Sequence, residues 1–200
     1  MQTELRDDYR LALAFTPRAV RPAVAALLAF DALIERSVRT AREPVLGQIK
    51  LAWWRDELRA KSSAALNQSP GLDLIWGGDA AGALPLIEIV DGWEQLLAAP
   101  PLSADDLLNF AQQRGQGVFG AIGWLLEAPI DPELGEKWAL DDLAQRALDP
   151  QTAMLCRQLA SDRRSPTSRT PRALRVLLAT ASEHETRMAR AGALLRATLG

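Results

Sequence analysis

Apolar and polar positions recur at helical spacing along almost the whole chain. Ala and Leu dominate, β-branched runs are scarce, and no period-two alternation is sustained. The pattern predicts helices at roughly 4–15, 22–41, 45–67, 83–98, 103–113, 116–127, 133–147, 150–161 and 171–197. Caps and breakers support these limits. Pro22 suits a first helical position. Ser103 with Asp106 three residues on resembles a capping box, with Asp in the usual Glu/Gln place. Asp131-Pro132 and Asp149-Pro150 read as helix starts with the acid as cap. Two stretches lose the pattern: 67–82, rich in Gly, Ser and Asp, and 161–172, rich in Ser, Arg and Pro. The expectation is an all-α fold, one domain over 1–200, with 161–172 as a basic flexible segment within it.

Two of these helices break the one-stripe rule of a surface helix. In GQIKLAWWRDEL (47–58), Leu51, Trp54 and Leu58 form one stripe, Ile49 and Trp53 form another, and Lys50 and Glu57 fall between. Such a helix is expected to be gripped from two sides. In the second helix, Val24, Leu27, Leu28, Ile34 and Val38 share a face, and Asp31 and Glu35 fall in its middle. Carboxylates one turn apart on an apolar face repel and resist desolvation unless a cation satisfies them. One reading makes them Mg²⁺ ligands facing a cavity. The other folds Arg36, Arg39, Arg42 or Arg55 over them, and the density of arginine favours it.

Composition narrows the class. With 200 residues, 48% hydrophobic and 24% charged, the chain can bury a real core. A net charge of −2 gives no general argument for nucleic acid. The lone Cys156 excludes an internal disulfide and a cysteine zinc cluster, and it fits a reducing compartment. The start, MQTELRDDYR, is too polar for a signal peptide. The longest clean apolar run, 23–30, falls far short of the ~20 residues of a membrane span. A cytoplasmic protein is expected, with peripheral contact to the inner membrane left open.

Other motifs carry less. Gly115-Gln-Gly117-Val-Phe-Gly120 matches G-x-G-x-x-G, yet helix precedes it where the dinucleotide fingerprint needs a strand. With Gly123 it places small residues where another helix or a ligand can come close. The run RRSPTSRTPRALR (163–175) is either a solvated linker or a surface for anionic lipid or phosphate. His184, the only histidine, stands between Glu183 and Glu185, which leaves no zinc site and no Ser/His triad.

LLAFDALIERSV (27–38), REPVLGQIKLAWWRDEL (42–58) and IVDGWEQLLAAPPLSADDLLNFAQQRGQGVFGAIGWLL (89–126) resemble the squalene/phytoene synthase family in order and spacing. The series AF, REP and G-x-I-K-L-x-WWRD-x-L is the most specific part. The resemblance spans roughly 5–160, and 172–200 is similar to a family C-terminus. It implies an isoprenoid-synthase-like helical domain around a central cavity. It also implies head-to-head joining of prenyl diphosphates, with Mg²⁺ held by two aspartate-rich motifs.

The chain departs from that pattern. Aligned on Ala29-Phe30, the first Asp-Asp-x-x-Asp motif becomes Glu35, Arg36 and Arg39. Around WALDDLAQRALD (138–149), Asp141, Gln145 and Asp149 stand near the second motif. The chain is also shorter than the active enzymes. These departures favour a catalytically degenerate member that binds an isoprenoid lipid or a membrane-complex assembly partner and needs no cofactor. A branch similar in lacking the acids assists assembly of respiratory complex I. Candidate binding residues are Arg36, Arg39, Trp53, Trp54, Arg55, Arg114 and Gly117. The alternative is a Mg²⁺-dependent prenyltransferase using Asp31, Glu35, Asp141 and Asp149.

Overall fold

The computed structural model describes residues 5–76, 83–98, 101–147 and 149–182. Among them the regular elements are helical: α1 Asp7–Ala14, α2 Arg21–Arg39, α3 Pro44–Ala60, α4 Ser63–Gln68, α5 Asp73–Trp76, α6 Leu84–Glu94, α7 Ala104–Gly115, α8 Ala121–Leu125, α9 Pro132–Arg146, α10 Pro150–Ser161 and α11 Arg172–Ala181. The all-α expectation holds. No described helix is long and apolar enough to cross a membrane.

The caps foreseen in the sequence are present. Ser103 and Asp106 exchange hydrogen bonds at 3.1 and 2.9 Å as a capping box. Asp131 accepts from the Glu133 amide at 3.1 Å, and Asp149 from the Thr152 amide at 2.7 Å.

Two boundaries differ from the sequence reading. The helix expected over 45–67 stops at Lys61, which takes a left-handed conformation with φ 48°. Ser62 then caps α4 by accepting from the Ala65 amide. The apolar period continues across this corner, so periodicity alone does not show it. Conversely, the helices expected at 103–113 and 116–127 are one rod. It runs from α7 through a π-helical turn, Gln116–Gly120, into α8. In the stretch 67–82, α5 is helical and 77–82 lies outside the described residues, as does everything after 182 in the helix expected over 171–197.

The glycines near 115 serve close packing. A Cβ on Gly115 would meet the Gly135 carbonyl carbon at 2.4 Å, and one on Gly135 would meet the Gly115 oxygen at 2.5 Å. The backbones of α7 and α9 therefore touch, which brings their side chains within reach of α2. Gly135→Ala is expected to destabilise the fold by about 1–3 kcal/mol through overpacking. Gly120→Ala, whose Cβ meets nothing within 4 Å, should be neutral or gain up to about 1 kcal/mol of helix propensity. Urea unfolding of both variants checks the contrast.

In α3 only one of the two expected grips is present. Leu51, Trp54 and Leu58 are buried, with Trp54 edge-on to Phe30 of α2 at 5.2 Å. Ile49 and Trp53 face outward at 63% and 36% exposure. Among the described residues α6, α2, α4 and the 95–97 turn are the neighbours of α3, and its buried positions are Gly47, Leu51, Trp54 and Leu58.

Candidate functional site

Asp31 and Glu35 lie one turn apart on α2, and both are buried. Asp31 accepts from Tyr9 Oη at 2.5 Å, from Trp93 Nε1 at 2.8 Å, and from Arg114 Nε and Nη2 at 2.9 and 2.8 Å. Arg114 is fully buried, and its Nη1 stands 2.7 Å from Asp142 Oδ2 on α9. Its guanidinium also lies against Trp138 at 4.2 Å, Trp93 at 4.6 Å and Phe110 at 5.6 Å. A desolvated cation on aromatic faces gains further attraction from the rings.

The network continues toward the surface. Asp142 accepts from Arg6 Nη2 at 2.6 Å and is bonded by Arg146 one turn along α9. Arg146 Nη1 reaches both Glu35 oxygens at 2.6 and 2.5 Å. Arg39 Nε donates to Glu35 Oε1 at 2.7 Å, and Arg6 also pairs with Asp8. Carboxylates of Asp8, Asp31, Glu35 and Asp142 thus meet guanidiniums of Arg6, Arg39, Arg114 and Arg146, one charge for one.

The electrostatics favour the ionised forms of Asp31, Asp142 and Arg114. Burial alone would push the Asp31 carboxyl up, but the Arg114 charge and bonds from Arg114, Tyr9 and Trp93 hold it below the usual range. Burial of Asp142 is likewise outweighed, by Arg114, Arg146 and Arg6, and its carboxyl sits well below the ordinary value. Burial disfavours the Arg114 charge, yet Asp31 and Asp142 raise its pKa well above normal. Tyr9 is pushed well up by burial and by Asp31, so its hydroxyl remains a donor.

A squalene/phytoene synthase family model matches residues 5–114, more than half of the chain. The chain belongs to the squalene/phytoene synthase family. No curated protein and no solved structure matches it. The matched segment includes Asp31, Glu35 and Arg114; Asp142 and Arg146 lie beyond it.

Family membership implies Mg²⁺ between acid-bearing helices, and the residues at this site do not fit it. The oxygens of Asp31, Glu35 and Asp142 are engaged by guanidiniums, and Arg114 occupies the space between Asp31 and Asp142. Among the described residues no three of His, Cys, Asp and Glu converge as a metal site.

Of the metal candidates, the structure brings Asp31 and Glu35 together but joins them to Asp142 rather than Asp141 or Asp149. Asp141 lies one residue, about 100°, round α9. It pairs with Lys137 at 2.8 Å and faces α10, where it and Asp149 reinforce the effect of burial in pushing the Cys156 thiol up to about 12. Asp149 is the cap of α10.

The binding candidates scatter in the same way. Arg39 and Arg114 belong to the ion network, and Arg55 ties α3 to Asp91 and Glu94 of α6. Trp54 is core, Trp53 faces outward, and Gly117 abuts the Pro85 carbonyl, which a Cβ would meet at 2.5 Å. In the basic segment, Arg163 pairs with Glu136 at 2.7 Å and Arg164 with Asp131 at 3.2 Å.

Among the described residues Arg36 lines an open groove. The groove holds about 790 Å³, between the outer face of α2 (Ala25, Ala29, Leu33, Arg36), Leu5 and the 67–71 turn.

Sequence reasoning missed Arg6, Tyr9, Trp93, Asp142 and Arg146. A signal existed for the centre of the network: Arg114 falls in step with the buried Leu107, Phe110 and Ala111, so a cation occupies a core position of α7.

Proposed function

We propose that this squalene/phytoene synthase-like protein has lost prenyl transfer and acts by binding an isoprenoid lipid, without Mg²⁺. The observation that carries this reading is the Arg114 guanidinium seated between Asp31 and Asp142. A divalent ion brought to about 4 Å from a guanidinium meets repulsion of roughly 8 kcal/mol at an effective dielectric of 20. Arg6, Arg114 and Arg146 each add to it. Among the described residues the guanidiniums here are already matched by carboxylates, which leaves no surplus positive charge for a departing diphosphate.

The groove on the other face of α2 supports binding. Its floor of Ala25, Ala29 and Leu33 is apolar, and Arg36 supplies a cation for an anionic head group. Its volume falls in the range of about 300–1,000 Å³ usual for small-molecule sites.

The test incubates the full chain with farnesyl or geranylgeranyl diphosphate, with and without Mg²⁺, and follows binding and pyrophosphate release. Binding without release is expected in both conditions, weakened about tenfold or more in Arg36→Glu. Release that requires Mg²⁺ and vanishes in Glu35→Ala would overturn the loss of chemistry. No binding, with co-purification of a membrane subunit, would replace the lipid reading with an assembly role like that of the complex I branch.

A further inference from the structure

Among the described residues nothing covers the outward stripe of α3, although it is as apolar as a buried face. Val45, Leu46 and Ile49 are 53%, 54% and 63% exposed, and Trp53 is 36% exposed. Together with the exposed Ala52 they form a stripe along one side of α3, and apolar patches of a few hundred Å² on a monomer are often functional.

The stripe is symmetric about its own middle. Ile49 lies at the centre, with Val45 and Leu46 four and three residues before it and Ala52 and Trp53 three and four after. The charged ends are opposite in sign: Arg42 precedes the helix and Asp56 lies two turns beyond Ile49, both exposed.

A two-fold axis through such a helix places one stripe antiparallel on its copy, the self-complementary contact of a cyclic dimer. In that arrangement Ile49 meets Ile49 of the second copy on the dyad. Leu46 faces Trp53 of the second copy on one side, and Val45 faces Ala52 of the second copy on the other, so large side chains do not all meet in one layer. Arg42 comes opposite Asp56 of the second copy at both ends. The parallel arrangement would instead set Arg42 against Arg42 and Asp56 against Asp56.

We propose that α3 is the dyad helix of a homodimer, held by Val45, Leu46, Ile49 and Trp53 and oriented by Arg42 and Asp56. The second grip on the tryptophan helix is then supplied by another copy of the same helix. A single helix pair makes a small interface, the class of weak and reversible association. This inference does not depend on the isoprenoid reading, because the groove lies on α2.

Sedimentation velocity of the full chain from about 1 to 100 µM tests it. The mass should rise toward twice 21.8 kDa, and Ile49→Asp should abolish the rise while circular dichroism stays unchanged. Arg42→Asp and Asp56→Arg should each weaken association about tenfold, and the double reversal should restore it. Ile49→Cys should cross-link to its copy on mild oxidation and Lys50→Cys should not, the native Cys156 being buried.

A chain that stays monomeric at 100 µM overturns the proposal. So does association indifferent to Ile49→Asp, or charge reversal without rescue. Anionic vesicles captured through this stripe by a monomeric chain would assign it to a membrane surface and overturn it equally.

Discussion

Arg114→Ala is expected to cost the fold about 3–5 kcal/mol, because it leaves the buried Asp31 carboxylate without its cation and takes from Asp142 one of the three guanidiniums that hold it. Arg114 supplies two hydrogen bonds to Asp31 and an ion pair to Asp142 from a fully buried position, and its guanidinium lies against Trp93, Phe110 and Trp138. At about 2–4 °C per kcal/mol for a chain of this size, the melting temperature should fall by about 6–20 °C. Arg114→Lys should recover only part of the loss, since one ammonium cannot reproduce the fork that grips both Asp31 oxygens. Thermal and urea unfolding of the two variants measure this. Full stability in Arg114→Ala would mean that the buried network does not hold the helices together.

The same residues set an acid limit, and its sign reverses in the variant. In the native chain the Asp31 and Asp142 carboxyls are held below their unfolded value near 3.9. The unfolded chain therefore binds more protons in that window. Their contribution is complete above about pH 5 and is lost as pH falls through 4 toward the folded pKa values. Without Arg114, burial pushes the Asp31 carboxyl up instead, while Arg146 and Arg6 still hold Asp142, so the folded state takes a proton at Asp31 first. The stability gap between native chain and Arg114→Ala should thus be widest near pH 7 and close progressively toward pH 4. Urea midpoints of both proteins across this range read the effect; a gap that stays constant would separate the acids from the arginine.

Much of the architecture was readable from local chemistry. Helix starts at Ser103, Asp131 and Asp149 follow from side-chain caps acting within three residues, and all three are where the sequence puts them. The corner at Lys61 was not readable, since a left-handed residue there interrupts a helix whose apolar period runs on. Gly115 shows the opposite case: it falls in the gap between the helices expected at 103–113 and 116–127, yet it is helical, and its missing side chain lets the α9 backbone come close.

The candidate site divides along the same line. Asp31 and Glu35 on an apolar face announce a buried demand for positive charge. Sequence neighbours offered Arg36, Arg39, Arg42 and Arg55 to meet it, and only Arg39 does, at four residues' distance. The other cations arrive from 83 and 111 positions away in Arg114 and Arg146, a pairing that only the packing of α2, α7 and α9 determines. Register across helices also decided between Asp141 and Asp142, neighbours in sequence that face different sides of α9.

The central claim is that guanidiniums stand where this family's metal chemistry would need a divalent ion. A crystal structure of the full chain grown with magnesium pyrophosphate tests it most directly. The account predicts Arg114 bridging Asp31 and Asp142 with no metal between them. Mg²⁺ coordinated by Asp31, Glu35 or Asp142, with Arg114 swung aside, would contradict it.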